Sequence, residues 1–122
     1  LESGMYFDAD IPVDVMQKEV GNYIKITGAS FGKDRQMSGE MTKMGVNKAT
    51  GMQRLMDELK IGREDTIAFG DGPNDVEMLQ FAGTGVAMGN AIPAVKQYAD
   101  MVTDKIDEDG LYHAFERLHL LG

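Results

Sequence analysis

Phe69-Gly70-Asp71-Gly72-Pro73-Asn74-Asp75 is the stretch on which the reading of this chain turns. It continues Thr66-Ile67-Ala68, an almost wholly apolar run of the kind covered on both faces of a parallel sheet. A helical stretch from Asp75 to about Phe81 follows. In open parallel sheets, ligands gather just beyond the carboxyl ends of the strands. Gly70 and Gly72 would let the backbone turn sharply and come close to a ligand. Asp71, Asn74 and Asp75 place hard oxygen atoms on that turn, the donor type that suits Mg2+, which takes only one or two protein carboxylates and keeps several waters. An isolated Gly-Asp-Gly reads more simply as a turn whose aspartates cap the next helix. Here Asn74 and Asp75 add two more oxygen-bearing side chains at tight spacing directly after a buried strand, so a metal site stands beside that reading.

Downstream, the same alternation repeats. Gly85-Val86-Ala87-Met88-Gly89 is a second apolar strand, and Ile92–Ala99 a helix with Pro93 in its first turn. Met101-Val102-Thr103 is a third strand and Leu111–Leu120 a closing helix. Upstream, Asn47 is a good N-cap for a helix reaching Lys60, with Met52, Leu55, Met56 and Leu59 on one face. Strand and helix in alternation imply right-handed crossovers, hence an α/β fold: a partial Rossmann-like parallel sheet with flanking helices. Lys48 lies in the first turn of its helix, where a cation opposes the helix dipole. It is either a solvated surface lysine or one held by an anion, a phosphoryl group or a carboxylate. Lys43 reads as plain surface.

Before Gly45 the pattern is irregular. Pro12 opens a helix over Val13–Val20, Gly21-Asn22 stops it, and Tyr23–Thr27 alternates like a half-buried strand. Gly28–Arg35 is loop-like, and Gln36–Met44 is a further short strand. Asp8-Ala9-Asp10 follows Met5-Tyr6-Phe7, and paired aspartates at a strand end can act as nucleophile and general acid. The run before them is short, and Ile11-Pro12 replaces the small turn-forming residues such a site needs. A solvated acidic loop is the simpler reading. His113 and His119 have no companions at ligand spacing and read as structural. The ten methionines suit core and interface positions.

A length of 122 residues suits one small domain or a piece of a larger one. With 43% hydrophobic and 26% charged residues, the chain is expected to fold rather than remain disordered. A net charge of −8 argues against sequence-independent binding to nucleic acid or to anionic membrane, since both need clustered Lys and Arg. Small phosphorylated substrates stay open, because a bound metal can supply the positive charge. The absence of cysteine excludes disulfides and thiolate metal sites. No apolar run approaches the ~20 residues of a membrane-spanning helix, and no signal peptide opens the sequence. A cytoplasmic location is the expectation. Leu1-Glu2-Ser3-Gly4, without an initiator methionine, is expected to be a cut end.

Gly45-Val46-Asn47-Lys48-Ala49-Thr50-Gly51 and Ala68-Phe69-Gly70-Asp71-Gly72-Pro73-Asn74-Asp75-Val76-Glu77-Met78-Leu79 resemble the third and fourth motifs of the haloacid dehalogenase superfamily. Gly85–Ala91, Ala94-Val95-Lys96 and Ala99–Thr103 are similar to the Cof-type sugar-phosphate phosphatases in particular. The resemblance implies a Mg2+-dependent hydrolase of small phosphate monoesters. It makes Asp71 a direct metal ligand, Asp75 a support of the metal shell and Asn74 a contact for substrate phosphate. Lys48 would hold the nucleophilic aspartate and stabilise charge on the transferring group.

The family's nucleophile motif, Asp-x-Asp followed by Gly-Thr or a similar pair, lies far upstream and is followed by a cap domain. Asp8-Ala9-Asp10-Ile11-Pro12 lacks the Gly-Thr and lies too close to Lys48 to leave room for a cap. Residues 1–44 are therefore expected to be the end of a cap and its return linker, and residues 45–122 the C-terminal part of the core. A chain of this kind is expected to be inactive alone and to self-associate through an exposed sheet edge. Two alternatives remain. One is the phosphorylation domain of a P-type ion pump, although pumps carry Ala-Pro-Ala-Leu where this chain has Val76-Glu77-Met78-Leu79. The other is a non-catalytic association module.

Overall fold

Two sheets divide the chain near Gly45. The computed structural model describes residues 3–7, 10–28 and 37–122. The first sheet contains β1 (Ser3–Phe7), β2 (Ile24–Gly28) and β3 (Ser38–Lys43), with helix α1 (Val13–Val20) between β1 and β2. Its order is β1-β3-β2 and both pairings are antiparallel. Because side chains alternate along a strand, Ile26 and its neighbours Lys25 and Thr27 face opposite sides. Ile26 is buried, in the strand that α1 packs against. Gln17 of α1 closes the outer edge of β2. Its amide donates to the carbonyls of Gly21 at 3.0 Å and Ile24 at 2.9 Å, and its carbonyl oxygen accepts from the Ile26 N–H at 2.7 Å. A side chain thus does what a further strand would do for exposed edge groups.

The second region begins with α2 (Lys48–Leu59). Asn47 caps it by accepting from the Thr50 N–H at 2.9 Å, while Thr50 Oγ1 accepts from the Asn47 N–H at 3.0 Å. Both donors would otherwise be orphaned at the helix start. Then come β4 (Ile67–Gly70), α3 (Val76–Phe81), β5 (Thr84–Ala87), α4 (Pro93–Lys96), β6 (Met101–Val102) and α5 (Gly110–Arg117). The sheet order is β4-β5-β6, all parallel, with Ile67 opposite Thr84 and Val86 opposite Met101. Ala68, Leu79, Ala82, Ala87, Ala91 and Val95 form the core, with Met52, Val76, Met78 and Ala99 packed against it. Phe69 stacks on Phe115 of α5 at 5.3 Å between ring centres.

The three parallel strands lie where the sequence puts them, adjacent in one sheet. The differences are informative. Thr66–Phe69 reads as a strand buried on both faces, yet Ile67 and Phe69 are only half-buried. The reason is position: β4 is an edge strand among the described residues, and β5, with Val86 and Ala87 fully buried, is the central one. The helix expected over Ile92–Ala99 ends at Lys96, and the closing helix ends at Arg117, with His119 in the left-handed region at φ 55°. The antiparallel sheet as a unit, with β1 as its member, is not foreseen from sequence. Asp8 and most of the Gly28–Arg35 loop lie outside the described residues.

Candidate functional site

The carboxyl end of β4 runs into a single 3-10 turn, Pro73–Asp75, and that turn leads directly into α3. The turn folds Asp75 back toward the strand that precedes it. Gly70 makes this possible, since a Cβ there would lie 2.5 Å from the Cβ of Asp75. Asp75 is 4% exposed. Its Oδ2 accepts from the backbone N–H groups of Asp71 at 2.9 Å and Gly72 at 3.0 Å, and its Oδ1 accepts from Lys48 Nζ. Burial by itself pushes the Asp75 carboxyl up. The Lys48 hydrogen bond and the two backbone donors outweigh it, and hold the group below its ordinary value.

This arrangement refines the expectations for three residues. Lys48 does have an anion beside it, and among the described residues that anion is the Asp75 carboxylate. Asp75 spends one oxygen on two backbone donors, so it braces the loop and the lysine and has little left for direct metal ligation. Gly72 has φ −102° and ψ 163°, extended backbone open to any residue. Its contribution is therefore its N–H to Asp75, and a special turn conformation plays no part.

Asp71 differs from Asp75 in exposure and in partners. It is exposed, and its Oδ2 accepts from Asn90 Nδ2 at 3.1 Å. Asn90 is itself fixed, because its Oδ1 accepts from the Ile106 N–H at 3.1 Å. Asp71, Asp75, Lys48 and Asn90 line one open cleft of about 350 Å3 together with Phe69 and Met88. A protein-held cation here would find one accessible carboxylate, braced by a second. Among the described residues no cluster of three or more His, Cys, Asp or Glu side chains could hold a metal. Hard oxygens in this small number fit Mg2+, which completes its octahedron with water and substrate oxygens.

Asn74 turns to the other side. Its Nδ2 donates to Glu40 Oε2 of β3 at 2.9 Å. Lys25 of β2 reaches Glu77, in the first turn of α3, with an ion pair. Burial raises the Glu77 carboxyl, but the Lys25 hydrogen bond, a backbone donor and the lysine charge bring it below its ordinary value. These two bridges join the antiparallel sheet to the α/β region. Between them lies a second cleft of about 200 Å3, which Lys48 also lines.

Of the four residues singled out from sequence, the structure brings Asp71, Asp75 and Lys48 into one cleft and puts Asn74 in the adjoining one. Sequence reasoning misses Asn90, although the rule that found Asp71 applies to it as well: Asn90 follows Gly89 just past the carboxyl end of β5. It also misses Lys25, Glu40 and Glu77, which come together only through the packing of the two regions. His113 meets Asp104 at 3.0 Å, with Arg117 at 2.8 Å from the same oxygen, a surface bracket away from the cleft residues.

Comparisons with known proteins show the family. Residues 6–115 match the sequence family described as haloacid dehalogenase-like hydrolase. The putative phosphatase YkrA of Bacillus subtilis is 45% identical over 86 residues, which are 70% of this chain and 34% of that protein. The solved structure of BT1666, a superfamily phosphatase from Bacteroides thetaiotaomicron, has a TM-score of 0.82 at 32% identity, over 98% of this chain and 42% of its own. The sugar phosphatase BT4131, of subclass IIB, has a TM-score of 0.79 at 33% identity, over 91% of this chain and 42% of its own. The chain thus spans less than half the length of each of these proteins.

Proposed function

The chain belongs to the haloacid dehalogenase-like hydrolases, and from that premise we propose that it forms the metal-binding, lysine-bearing part of a Mg2+-dependent phosphatase acting on small phosphate monoesters, sugar phosphates among them. The observation that carries this reading is the joining of exposed Asp71, buried Asp75 and Lys48 at the carboxyl end of β4. In this reading Asp71, oriented by Asn90, offers its carboxylate to the cation. Asp75 anchors Lys48 so that the ammonium, half exposed, remains available to a second anion. Asn74, with one amide N–H given to Glu40, offers the other to a phosphoryl oxygen. The chemistry that Mg2+ supplies to such a site is neutralisation of charge on the phosphoryl oxygens.

Asp71 and Asp75 are the aspartates that line the two clefts among the described residues, and both have other work. The nucleophile is accordingly assigned to sequence outside those residues, such as the additional length that the relatives carry. Residues 1–44 are the end of a cap in this reading, and residues 45–122 the C-terminal part of the core. A second reading, association through the sheet edge, draws support from β4, whose outer side is unpaired among the described residues. Among those residues no helix is long and apolar enough to cross a membrane.

The test is phosphate release from hexose 6-phosphates, with and without chelator, by this chain alone and by the chain extended with its upstream coding sequence. The extended protein should turn over only with Mg2+, and the 122-residue chain should be silent. Asp71→Ala should lower the rate on the order of a thousandfold. Turnover indifferent to chelator, or unchanged in that variant, would remove the assignment.

A further inference from the structure

The antiparallel sheet presents a polar face to the site. Register sets Lys25 opposite Thr42 and Thr27 opposite Glu40, so these four side chains form one patch across β2 and β3. All four line the cleft of about 200 Å3 whose other wall includes Lys48 and Asn74. Lys48 lines both clefts, so this patch adjoins the cleft that Asp71 and Asp75 line. We infer that this face recognises the leaving group of the phosphate ester, and that Glu40 selects leaving groups that bear neutral hydroxyls. The inference rests on the phosphatase reading above and adds a specificity residue to it.

Charge and hydrogen-bonding capacity carry the argument. The charged groups lining the cleft are Lys25, Lys48, Glu40 and Glu77, two of each sign, so the cleft offers no net charge to a leaving group. Lys25 is already paired with Glu77. Glu40 gives Oε2 to Asn74, and its Oε1 has no hydrogen bond among the described residues. An ionised carboxylate only accepts, so what it takes must donate. A sugar hydroxyl does so, whereas a second phosphate or a carboxylate would bring acceptors against an acceptor and be rejected. Thr27 and Thr42 can donate or accept and suit further hydroxyls. The volume is below the roughly 300–1,000 Å3 of pockets for drug-sized ligands, which favours one ring or a short polyol over a nucleotide.

Equilibrium binding to the 122-residue chain in Mg2+, read by calorimetry, tests this with two ligands sharing one phosphoryl head: a hexose 6-phosphate and methyl phosphate. The wild type should bind the hexose ester more tightly. Glu40→Ala should cut that preference by roughly tenfold or more, the weight of a hydrogen bond to a charged group. Glu40→Gln keeps the volume and an accepting carbonyl oxygen, so it should fall between the two and covers any loosening of the sheet by alanine. Equal affinities in the wild type would overturn the inference. So would a Glu40→Ala variant that weakens both ligands alike or neither. Failure of the phosphatase reading shows differently, as absent Mg2+-dependent hydrolysis in the extended protein.

Discussion

The two regions of this molecule bury their side chains to very different degrees. Among the described residues, the antiparallel sheet and α1 contribute Ile26 to the buried hydrophobics, and α1 itself has no buried residue. The α/β region contributes Met56, Ala68, Leu79, Ala82, Val86, Ala87, Met88, Ala91, Val95 and Ala114. Chemistry follows the same division. The braced carboxylate, the lysine and the exposed Asp71 belong to the well-packed region, while the thinly packed sheet brings Lys25 and Glu40 to the cleft. Groups that must hold position for charge stabilisation gain from a rigid surround. The face inferred to contact the leaving group is attached through a few polar bridges.

Core truncation should have the largest effect. Leu79, 1% exposed, packs in the α/β core, and Leu79→Ala should cost about 2–5 kcal/mol of global stability in urea unfolding. Ile26→Ala should mainly loosen its own sheet. Hydrogen exchange should then show lost protection over β2 and β3 with that of β5 retained. Equal loss in both regions would mean that they unfold as one unit and that the contrast in burial has no energetic counterpart.

The next effect is electrostatic. Asp75→Asn removes the negative partner of Lys48 and should cost about 1–3 kcal/mol at neutral pH. Asp75 has its carboxyl below the ordinary value of 3.8, so the unfolded chain takes up that proton more readily. The stability it contributes is therefore present above 3.8 and is lost as pH falls through the lower folded value. The wild type and Asp75→Asn should converge in that acid range. A constant gap from neutrality downward would show that Asp75 does not carry its charge in the folded state.

The smallest effect belongs to the bridge between regions. Lys25 and Glu77 have side chains 41% and 30% exposed, and such a pair is screened by solvent. Lys25→Met should change global stability by less than about 1 kcal/mol. A larger loss would show that the sheet depends on this bridge more than on Ile26 and Gln17.

How much of this is legible in the sequence follows the same boundary. Asn47 names its own helix start, and short apolar runs ending in Gly and Asp name β4 and β5, because those signals are local. The parallel order follows from strand and helix alternating. β1 is harder, since Ser3–Phe7 carries little apolar pattern and gains its strand form from pairing with β3, thirty-odd residues on, as the facing of Phe7 and Ser38 shows. From sequence Lys48 reads either as a solvated surface lysine or as one held by an anion, and the choice depends on how Pro73–Asp75 folds back against Gly70. Glu40 and Asn74 lie 34 residues apart in sequence, and nothing local marks either one for the other.

In the proposed function the α/β region itself holds the cation, through Asp71. A Mg2+ titration of the 122-residue chain, followed by backbone amide chemical shifts, tests it without relying on turnover. Saturable shifts should centre on Asp71, Gly72 and Asn90, leave β1 to β3 largely unmoved, and vanish in Asp71→Ala. Shifts spread evenly over the acidic surface, or unchanged in that variant, would contradict the assignment.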